Sequence, residues 1–387
     1  MHEFDVLPNR LGLNSEKWNV LESELPMWVA DMDFDNAPAI KKALLDRVNL
    51  GAYGYSYPSD EYFNSFIRFY HDRHHVDYIK DDLIFATGVV PAISSIVRKL
   101  TTIGEKVIVM SPVYNVFYNS IVNNGRFILE CPLKYDKINN SYSIDFDNFE
   151  KLASDNQASM IIFCNPQNPT GNIWSKEELK KVLDIAKKNN LIFISDEVHC
   201  DLTSPNKEYN PIFSICSPSD NVIALSSASK SFNLAGMPAC YVIVKNKNLH
   251  YKAWRGINTD EVGEGNAFFD CAYVAAFNDS RDWLDDAREY IYQNKLYVYD
   301  FLEKNSKARV VRSDATYLIW VDLASYDIDS SIFCPFLREK TGLFVNPGFV
   351  YGGNSKSFVR INLATSRSNV VDGMNRLIKG LKLWLDK

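Results

Sequence analysis

Short apolar runs alternate with amphipathic segments through the first two thirds of the chain. The apolar runs predict strands over 83–88, 106–112, 126–133, 160–166, 191–197, the start of 221–230, and 240–246. Apolar residues at helical spacing predict helices between them, over 90–101, 113–125 and 175–189. Strands that alternate with helices in this way are typically parallel and covered on both faces. The pattern therefore predicts an α/β fold with a mostly parallel central sheet covered by helices.

The two ends of the chain add a second group of elements. The same patterns predict helices over 37–49, 59–75, 281–304, 330–341 and 367–385, and strands over 316–323 and 358–364. The helix over 281–304 is long enough to connect two domains. We therefore expect a large domain over 46–283, a smaller α+β domain over 284–387, and an N-terminal segment, 1–45, that packs with the small domain.

Composition and charge narrow the class of protein. The chain has 387 residues, of which 46% are hydrophobic and 23% charged, as is ordinary for a globular protein in water. A net charge of −6 argues against nucleic acid or an anionic membrane as a partner. No stretch approaches the roughly 18 apolar residues of a membrane span. Seven cysteines without a CxxC pair, and an N-terminus without an apolar signal core, predict a cytoplasmic protein with reduced thiols.

Polar groups follow nearly every strand of the predicted central sheet. The segments that follow the strands are TGVVPA (87–92), SPVYN (111–115), NPQNPTG (165–171), DEVH (196–199) and SASK (227–230). Ligands of open α/β sheets bind beyond the carboxyl ends of the strands. The sequence therefore predicts a ligand site at this edge of the sheet, built from these loops.

Lys230 is the first candidate for chemistry. It stands among small and hydroxyl residues in SSASKSFNLAG (226–236), rather than among other charges. A lysine at the end of a buried strand can lose its charge through desolvation, and the neutral amine is a nucleophile that forms a Schiff base with an aldehyde. The alternative is an ordinary surface lysine at a strand end.

Asp196 and His199 follow the apolar run LIFIS. Asp196 is a helix N-cap, an ion-pair partner, or the carboxylate that a cationic ring nitrogen requires. His199 lies in the same loop and is a candidate for a position beside such a ring. Asn168 belongs to a rigid turn with two Asn-Pro pairs, and its amide is a candidate donor to a ligand oxygen.

The remaining candidates come from four other segments. The backbone N–H groups at Val89 and Val90 open a predicted helix, where phosphate binds readily. Tyr114 either stacks on a flat ring or belongs to the core, and Tyr55 either reaches across an interface or is an ordinary loop residue. Arg360, which alternates with apolar residues on a strand, requires a carboxylate partner from the protein or a substrate. No metal site is expected, because nothing completes the cluster of His71, His74 and His75.

These motifs, taken in order, carry a resemblance to a known family. The segments are PMWVADMDF (26–34), YGY (53–55), SPVYNVFY (111–118), CNPQNPTG (164–171), SDEVHCDL (195–202), SASKSFNLAG (227–236) and FVRIN (358–362). In this order and spacing the chain resembles the fold-type I enzymes that depend on pyridoxal 5′-phosphate (PLP), with the aspartate aminotransferase architecture. It is most similar to their carbon–sulfur lyase branch, the cystathionine β-lyases of the MalY/PatB kind. The resemblance covers roughly residues 20–370.

The resemblance implies a role for each matching residue. Lys230 would form a Schiff base with PLP and later move the Cα proton of an amino acid substrate. Asp196 would pair with the pyridine nitrogen, and Arg360 would bind the substrate carboxylate with Val29 and Ala30 closing over it. The other implied contacts are to the ring or its phosphate: Asn168 and His199 near the 3-oxygen, Tyr114 stacked on the ring, and Ser227, Val89 and Val90 on the phosphate. Tyr55 would reach the phosphate from a second subunit, so a homodimer with shared active sites is implied.

One departure from the family and two alternative functions follow from the same residues. Many relatives carry a basic residue eight positions after the lysine, where this chain has Pro238, so one charged contact to the phosphate is missing or replaced. The expected reaction is cleavage of L-cystathionine or a related cysteine S-conjugate to a thiol, pyruvate and ammonia. An aminotransferase would use the same lysine, aspartate and arginine. A regulatory or binding protein on this fold is the second alternative.

Overall fold

The computed structural model describes residues 2–387. The strands in these residues are β1 (Leu25–Pro26), β2 (Leu83–Ala86), β3 (Lys106–Ser111), β4 (Phe127–Pro132), β5 (Lys134–Asp136), β6 (Ser141–Ser143), β7 (Ala158–Cys164), β8 (Ile192–Asp196), β9 (Val222–Ser226), β10 (Cys240–Ile243), β11 (Arg309–Val310), β12 (Leu318–Asp322), β13 (Leu343–Phe344), β14 (Asn346–Pro347) and β15 (Phe358–Asn362). The α-helices are α1 (Pro38–Asn49), α2 (Asp60–His74), α3 (Val89–Leu100), α4 (Val116–Val122), α5 (Phe146–Ala153), α6 (Lys176–Lys188), α7 (Ala228–Ser231), α8 (Lys247–Thr259), α9 (Phe269–Asp279), α10 (Arg281–Asn305), α11 (Ser330–Thr341) and α12 (Arg367–Leu385).

The central sheet confirms the α/β prediction. Its strand order is β2-β10-β9-β8-β7-β3-β4. Neighbours pair in parallel from β9 through β4, whereas β10 runs antiparallel to both β9 and β2. Side chains of these strands contribute to apolar clusters on both faces of the sheet, which is why their sequences are continuous apolar runs. The carboxyl ends of β7, β8 and β9 therefore meet at one edge, where the chemistry-bearing loops begin.

A second, four-stranded antiparallel sheet, β11-β12-β15-β14, forms a separate apolar core with α11 and α12. Helix α10 joins the two cores, since Leu284 and Ile291 pack in the large core and Val298 and Leu302 in the small one. The N-terminal segment also contributes to both. β1 pairs in parallel with β13, which places Leu25 in the small core, while other N-terminal residues belong to the large one.

The domain boundaries at residues 45 and 283 stay a prediction, because the segments on either side share both cores. Within residues 2–387, no helix combines the length and apolarity needed to cross a bilayer.

Local structure departs from the predicted elements in a few places. The helix predicted over 113–125 is limited to α4, and the β5–β6 hairpin and helices α5, α8 and α9 were not predicted. Helix α8 has a local signal, because the Asn246 side chain caps it by accepting hydrogen bonds from the Asn248 and Leu249 backbone N–H groups. The antiparallel direction of β10 has no such local signal.

Candidate active site

A cavity of about 580 Å³ lies where the loops after the central strands face the small sheet. Its walls come from three regions of the chain: the segment 28–30, the loops at the carboxyl ends of β2, β3, β7, β8 and β9, and residues of the small sheet and its connections. Ten of the predicted site residues line it: Val29, Ala30, Val89, Val90, Tyr114, Asn168, Asp196, His199, Lys230 and Arg360.

Lys230 lies in the single turn of α7, directly after β9. The Ser227 side chain caps this turn by accepting a hydrogen bond from the Ser229 N–H at 3.1 Å. The Lys230 Nζ atom donates to the Ala30 carbonyl at 2.7 Å. Desolvation, together with the positive charge of Arg360, lowers the pKa of Lys230 from 10.5 to about 8. Near neutral pH a useful fraction of the amine is therefore uncharged and nucleophilic.

Asp196 is the last residue of β8 and is 4% exposed. One oxygen accepts a hydrogen bond from the Val198 N–H at 3.2 Å, and none of the ion pairs among residues 2–387 includes this carboxylate. Burial raises the pKa of Asp196 to about 6. A buried carboxylate without a cationic partner is costly, and a protonated ring nitrogen would supply the missing partner.

His199 belongs to the same loop and is buried. Its Nδ1 atom has no hydrogen-bond partner within the described chain. Burial, aided by the charges of Lys230 and Arg360, lowers the pKa of His199 well below its ordinary value, so the ring is neutral. An unpaired buried ring nitrogen at a cavity wall is suited to a polar ligand atom.

Arg360 approaches the cavity from β15 and is 4% exposed. Its Nη1 atom donates to Asn168 Oδ1 at 3.2 Å, its Nη2 atom donates to the Trp28 carbonyl at 3.0 Å, and its Nε atom has no partner. No carboxylate pairs with this guanidinium in the part of the chain that the structure describes. The free donor and the uncompensated charge fit a carboxylate of a ligand.

Asn168 depends on a close approach between the two cores. Gly171, three residues later, has a φ of +74°, and a Cβ atom there would collide with the Ser313 side chain and lie 2.9 Å from the Ala315 carbonyl oxygen. The Gly171 carbonyl accepts hydrogen bonds from the backbone of residues 314 and 315. Glycine therefore lets the loop of Asn168 dock against the connection between β11 and β12, and Asn168 itself lies beside Arg360.

The opposite end of the cavity offers backbone N–H groups at the N-terminus of α3. Gly88 precedes this helix with a φ of +147°, and its closest side-chain neighbours include Pro91 and Pro238. Pro238 lines the cavity here, so no basic side chain occupies the position eight residues after Lys230. An anion at this end would rely on the helix N-terminus and on hydroxyl groups.

Two predicted residues do not line the cavity of a single chain. Ser227 donates to the Ala239 carbonyl at 2.7 Å and lies 2.9 Å from the Tyr273 hydroxyl, and it is Ser229, two residues later, that lines the cavity. Tyr55 is fully exposed in the loop before α2. Their roles stay predictions.

Sequence reasoning missed the groups that hold the segment 28–30. The Ala30 carbonyl accepts from the Tyr317 hydroxyl at 2.7 Å as well as from Lys230, and the Val29 carbonyl accepts from Asn362 at 2.6 Å. Asn346 holds the Trp28 carbonyl at 2.8 Å. The only local signal was a polar residue inside an apolar run, as at Asn362.

The donor set fits PLP, the cofactor that the resemblance implies. The cavity holds a nucleophilic amine for an aldehyde, a buried unpaired carboxylate for a ring nitrogen, and backbone N–H groups for a phosphate. Tyr114 lines the same cavity, is partly buried and offers an aromatic face. Arg360 stays free for an anionic substrate group.

Comparison with known proteins gives consistent matches over the whole chain. The family described as aminotransferase class I and II matches residues 25–377. Cystathionine beta-lyase PatB of Bacillus subtilis is 33% identical over 382 residues, which cover 97% of this chain and 98% of the relative.

Two solved structures share the fold closely. Cystalysin from Treponema denticola, which contains PLP, has a TM-score of 0.94 and 33% identity and covers 99% of each chain. The PLP-bound C-S lyase from Staphylococcus hominis has a TM-score of 0.93 and 30% identity, with 98% of each chain covered.

Proposed function

The chain belongs to the class I and II aminotransferase family, and from this premise we propose that it is a PLP-dependent carbon–sulfur β-lyase. It cleaves L-cystathionine or related cysteine S-conjugates to a thiol, pyruvate and ammonia. The observation that carries the proposal is the placement of Lys230, Asp196 and Arg360 around one cavity in a chain whose similar proteins are named as lyases of this kind.

Each of the three residues performs a separate task. PLP, when bound, supplies a cationic ring that accepts the charge left at the Cα atom of an amino acid. The Asp196 carboxylate keeps the ring nitrogen protonated, because a neutral ring would leave the buried anion unpaired. Arg360 would hold the substrate carboxylate, and the Lys230 amine would remove the Cα proton.

The atoms balance with one water and no oxidant. The Cα–H and Cβ–S bonds of the substrate break, and the sulfur leaves as a thiol with one proton. The three-carbon remainder takes up one water and gives pyruvate and ammonia. Segment 28–30 contacts both residues, because its carbonyls accept hydrogen bonds from Lys230 and Arg360.

The test is pyruvate release by the PLP-loaded protein without any keto acid, from L-cystathionine and from S-benzyl-L-cysteine. Repeated turnover with either substrate is the expected result, and the Lys230→Ala protein should make no pyruvate. Full turnover by Lys230→Ala would contradict the assignment of this lysine.

An aminotransferase is the second candidate, because the same lysine, aspartate and arginine serve both reactions. In that case each protein molecule would stop after one turnover, with its cofactor converted to pyridoxamine phosphate, and a keto acid would restore it. The absence of pyruvate together with this conversion would favour the aminotransferase.

We also propose a homodimer in the cytoplasm. The loop before α2 exposes Leu50, Tyr53, Tyr55 and Tyr57, which a second subunit would cover. Tyr55 would then reach the phosphate in the neighbouring site. All seven cysteines are free, which suits a reducing compartment.

A further inference from the structure

The charges around the cavity are few. Among residues 2–387, the charged side chains that line it are Asp196, Lys230 and Arg360, and the buried ring of His199 is neutral. The proposed function uses all three: one for the ring, one for the aldehyde and the Cα proton, and one for the substrate carboxylate. None is left over to pair with a second ammonium or carboxylate group of a substrate.

Besides its hydrogen bonds to Asn168 and the Trp28 carbonyl, Arg360 has an aromatic neighbour. The guanidinium lies 5.0 Å from the centre of the Tyr351 ring, and its strand pairs with β14 at Asn346. Five apolar or aromatic residues of the cavity lining are together called the apolar wall here: Trp28, Val116, Pro347, Val350 and Tyr351.

The polar atoms of the apolar wall are already engaged within the protein. Trp28 stacks on Phe344 with ring centres 4.6 Å apart, and its Nε1 atom donates to the Lys17 carbonyl at 3.2 Å. The Tyr351 hydroxyl accepts a hydrogen bond from Asn346 at 3.2 Å, and the same amide nitrogen also donates to the Trp28 carbonyl. Apart from the O–H donor of Tyr351, the side chains of the wall therefore present carbon atoms to a ligand.

The loop that we expect to come from a second subunit adds no charged side chain to the cavity. Residues 50–59, LGAYGYSYPS, contain no charged side chain. A dimer that brings Tyr55 into the neighbouring site would add aromatic surface and hydroxyl groups without any charge from this loop.

We propose, on the basis of the proposed function, that the apolar wall receives the sulfur substituent of the substrate. The chain then prefers cysteine S-conjugates whose leaving thiol is an uncharged alkyl or aryl thiol. L-Cystathionine and L-cystine, whose sulfur substituents end in a second ammonium and a second carboxylate, are the poorer substrates. Desolvation of two unpaired charges is costly, whereas burial of an apolar substituent is favourable.

The experiment compares kcat/KM for pyruvate release from S-benzyl-L-cysteine and from L-cystathionine with the PLP-loaded protein. We expect the benzyl conjugate to exceed L-cystathionine by about tenfold or more, in the range of apolar-pocket discrimination. An equal or higher value for L-cystathionine would overturn the preference and leave the β-lyase assignment intact. No pyruvate from either substrate would overturn the β-lyase assignment, and the preference with it.

A charged side chain introduced into the apolar wall tests whether the wall receives the sulfur substituent of the substrate. Val350→Arg supplies a partner for the distal carboxylate, so the ratio of the two kcat/KM values should move toward L-cystathionine by about tenfold. Phe349→Arg is the matched control, because Phe349 is exposed, belongs to the same turn and does not line the cavity. The ratio is independent of the fraction of active protein, so partial unfolding does not mimic the effect. An unchanged ratio in Val350→Arg, or an equal shift in both variants, would overturn the proposal.

Discussion

The chemistry of the site rests on opposite shifts of two pKa values within one cavity. Burial lowers the pKa of Lys230 to about 8 and raises the pKa of Asp196 to about 6. Both shifts have the same cause, because low polarity disfavours the charged form of an acid and of an amine alike. PLP, which the site fits, would relieve both, because Lys230 would hold its aldehyde and Asp196 would pair with its ring nitrogen.

The first prediction at this scale concerns the capture of PLP by the cofactor-free protein. The rate of covalent attachment should rise with pH through a midpoint near 8 and then level off, because the neutral amine is the attacking form. The measurement is the absorbance of the bound cofactor during mixing at a series of pH values, with Lys230→Ala mixed with PLP under the same conditions as the blank. A midpoint close to the ordinary lysine value of 10.5 would contradict the desolvation of this amine.

Arg360 provides the second residue-scale prediction. Arg360→Lys keeps the charge but loses the planar pair of donors, so kcat/KM should fall by about 100-fold, mainly through a higher KM. Steady-state pyruvate assays give both constants. Arg309→Lys is the control, because Arg309 is an exposed residue of the same sheet that does not line the cavity, and it should leave both constants unchanged.

At the scale of elements, one buried carboxylate joins the segments that carry the site. Asp201 follows the loop of Asp196 and His199, and it accepts hydrogen bonds from His74 of α2 at 2.7 Å and from Ser231 of α7 at 2.9 Å. Ser231 is the residue directly after Lys230. The loop after β8 and the turn that bears the lysine are thus held to the same anchor.

Because Asp201 holds these segments together, we expect its substitution to lower the stability of the protein rather than to remove a catalytic group. Asp201→Asn should lower the free energy of unfolding of the cofactor-free protein by about 3 kcal/mol at neutral pH, because the buried carboxylate that accepts from His74 and Ser231 and lies 3.8 Å from Arg73 is lost. Urea unfolding measures it. Asp285→Asn is the control: Asp285 pairs with Arg73 but is 51% exposed, so its loss should cost less than about 1 kcal/mol.

The difference in stability between wild type and Asp201→Asn should change with pH in a defined direction. Burial alone would raise the pKa of Asp201, but the hydrogen bond and charge of His74 and the charge of Arg73 hold it below 3.8. Such a group stabilises the fold above its unfolded pKa, and the contribution is lost as the pH falls through the folded value. The gap between wild type and Asp201→Asn should therefore close in acid below pH 3.8. A gap that persists there would contradict the role of the charge.

At the scale of the whole molecule, the site lies between two cores that several segments share. Helix α10 contributes to both, and so does the N-terminal segment. The carbonyls of residues 28–30 are held by Arg360, Asn362 and Lys230, which come from both sheets or their loops. The two cores and the cavity between them therefore depend on one another.

Subunit mixing tests the proposed homodimer. Lys230→Ala and Tyr55→Ala proteins are each expected to have little activity, but a mixed dimer has one site with an intact lysine and an intact tyrosine. Reassociation of equal amounts should restore about a quarter of the wild-type activity per subunit. Simple addition of the two residual activities would contradict a shared site, and sedimentation would show whether a dimer forms at all.

Local sequence predicted much of this site, because the carboxyl ends of parallel strands share one edge of a sheet. That rule alone brought Asp196, Asn168, Tyr114 and Lys230 together. The rule does not decide between Ser227 and Ser229, which are two residues apart on a tight turn. Which hydroxyl faces the cavity depends on the cap geometry of α7, and Ser227 uses its hydroxyl to hold the Ala239 carbonyl.

The sequence by itself determined the class of fold and the edge of the sheet where the polar loops lie, since these follow from periodicity and residue type, and its resemblance to a family of PLP enzymes implied the cofactor. Only the tertiary structure decided which groups meet across the two cores: Arg360 beside Asn168, Tyr317 and Lys230 on one carbonyl, and the uncharged wall around them. It also decided the direction of β10. The physical reason is that such contacts join segments far apart in the chain, and their distances are set by the packing of whole elements rather than by any local pattern.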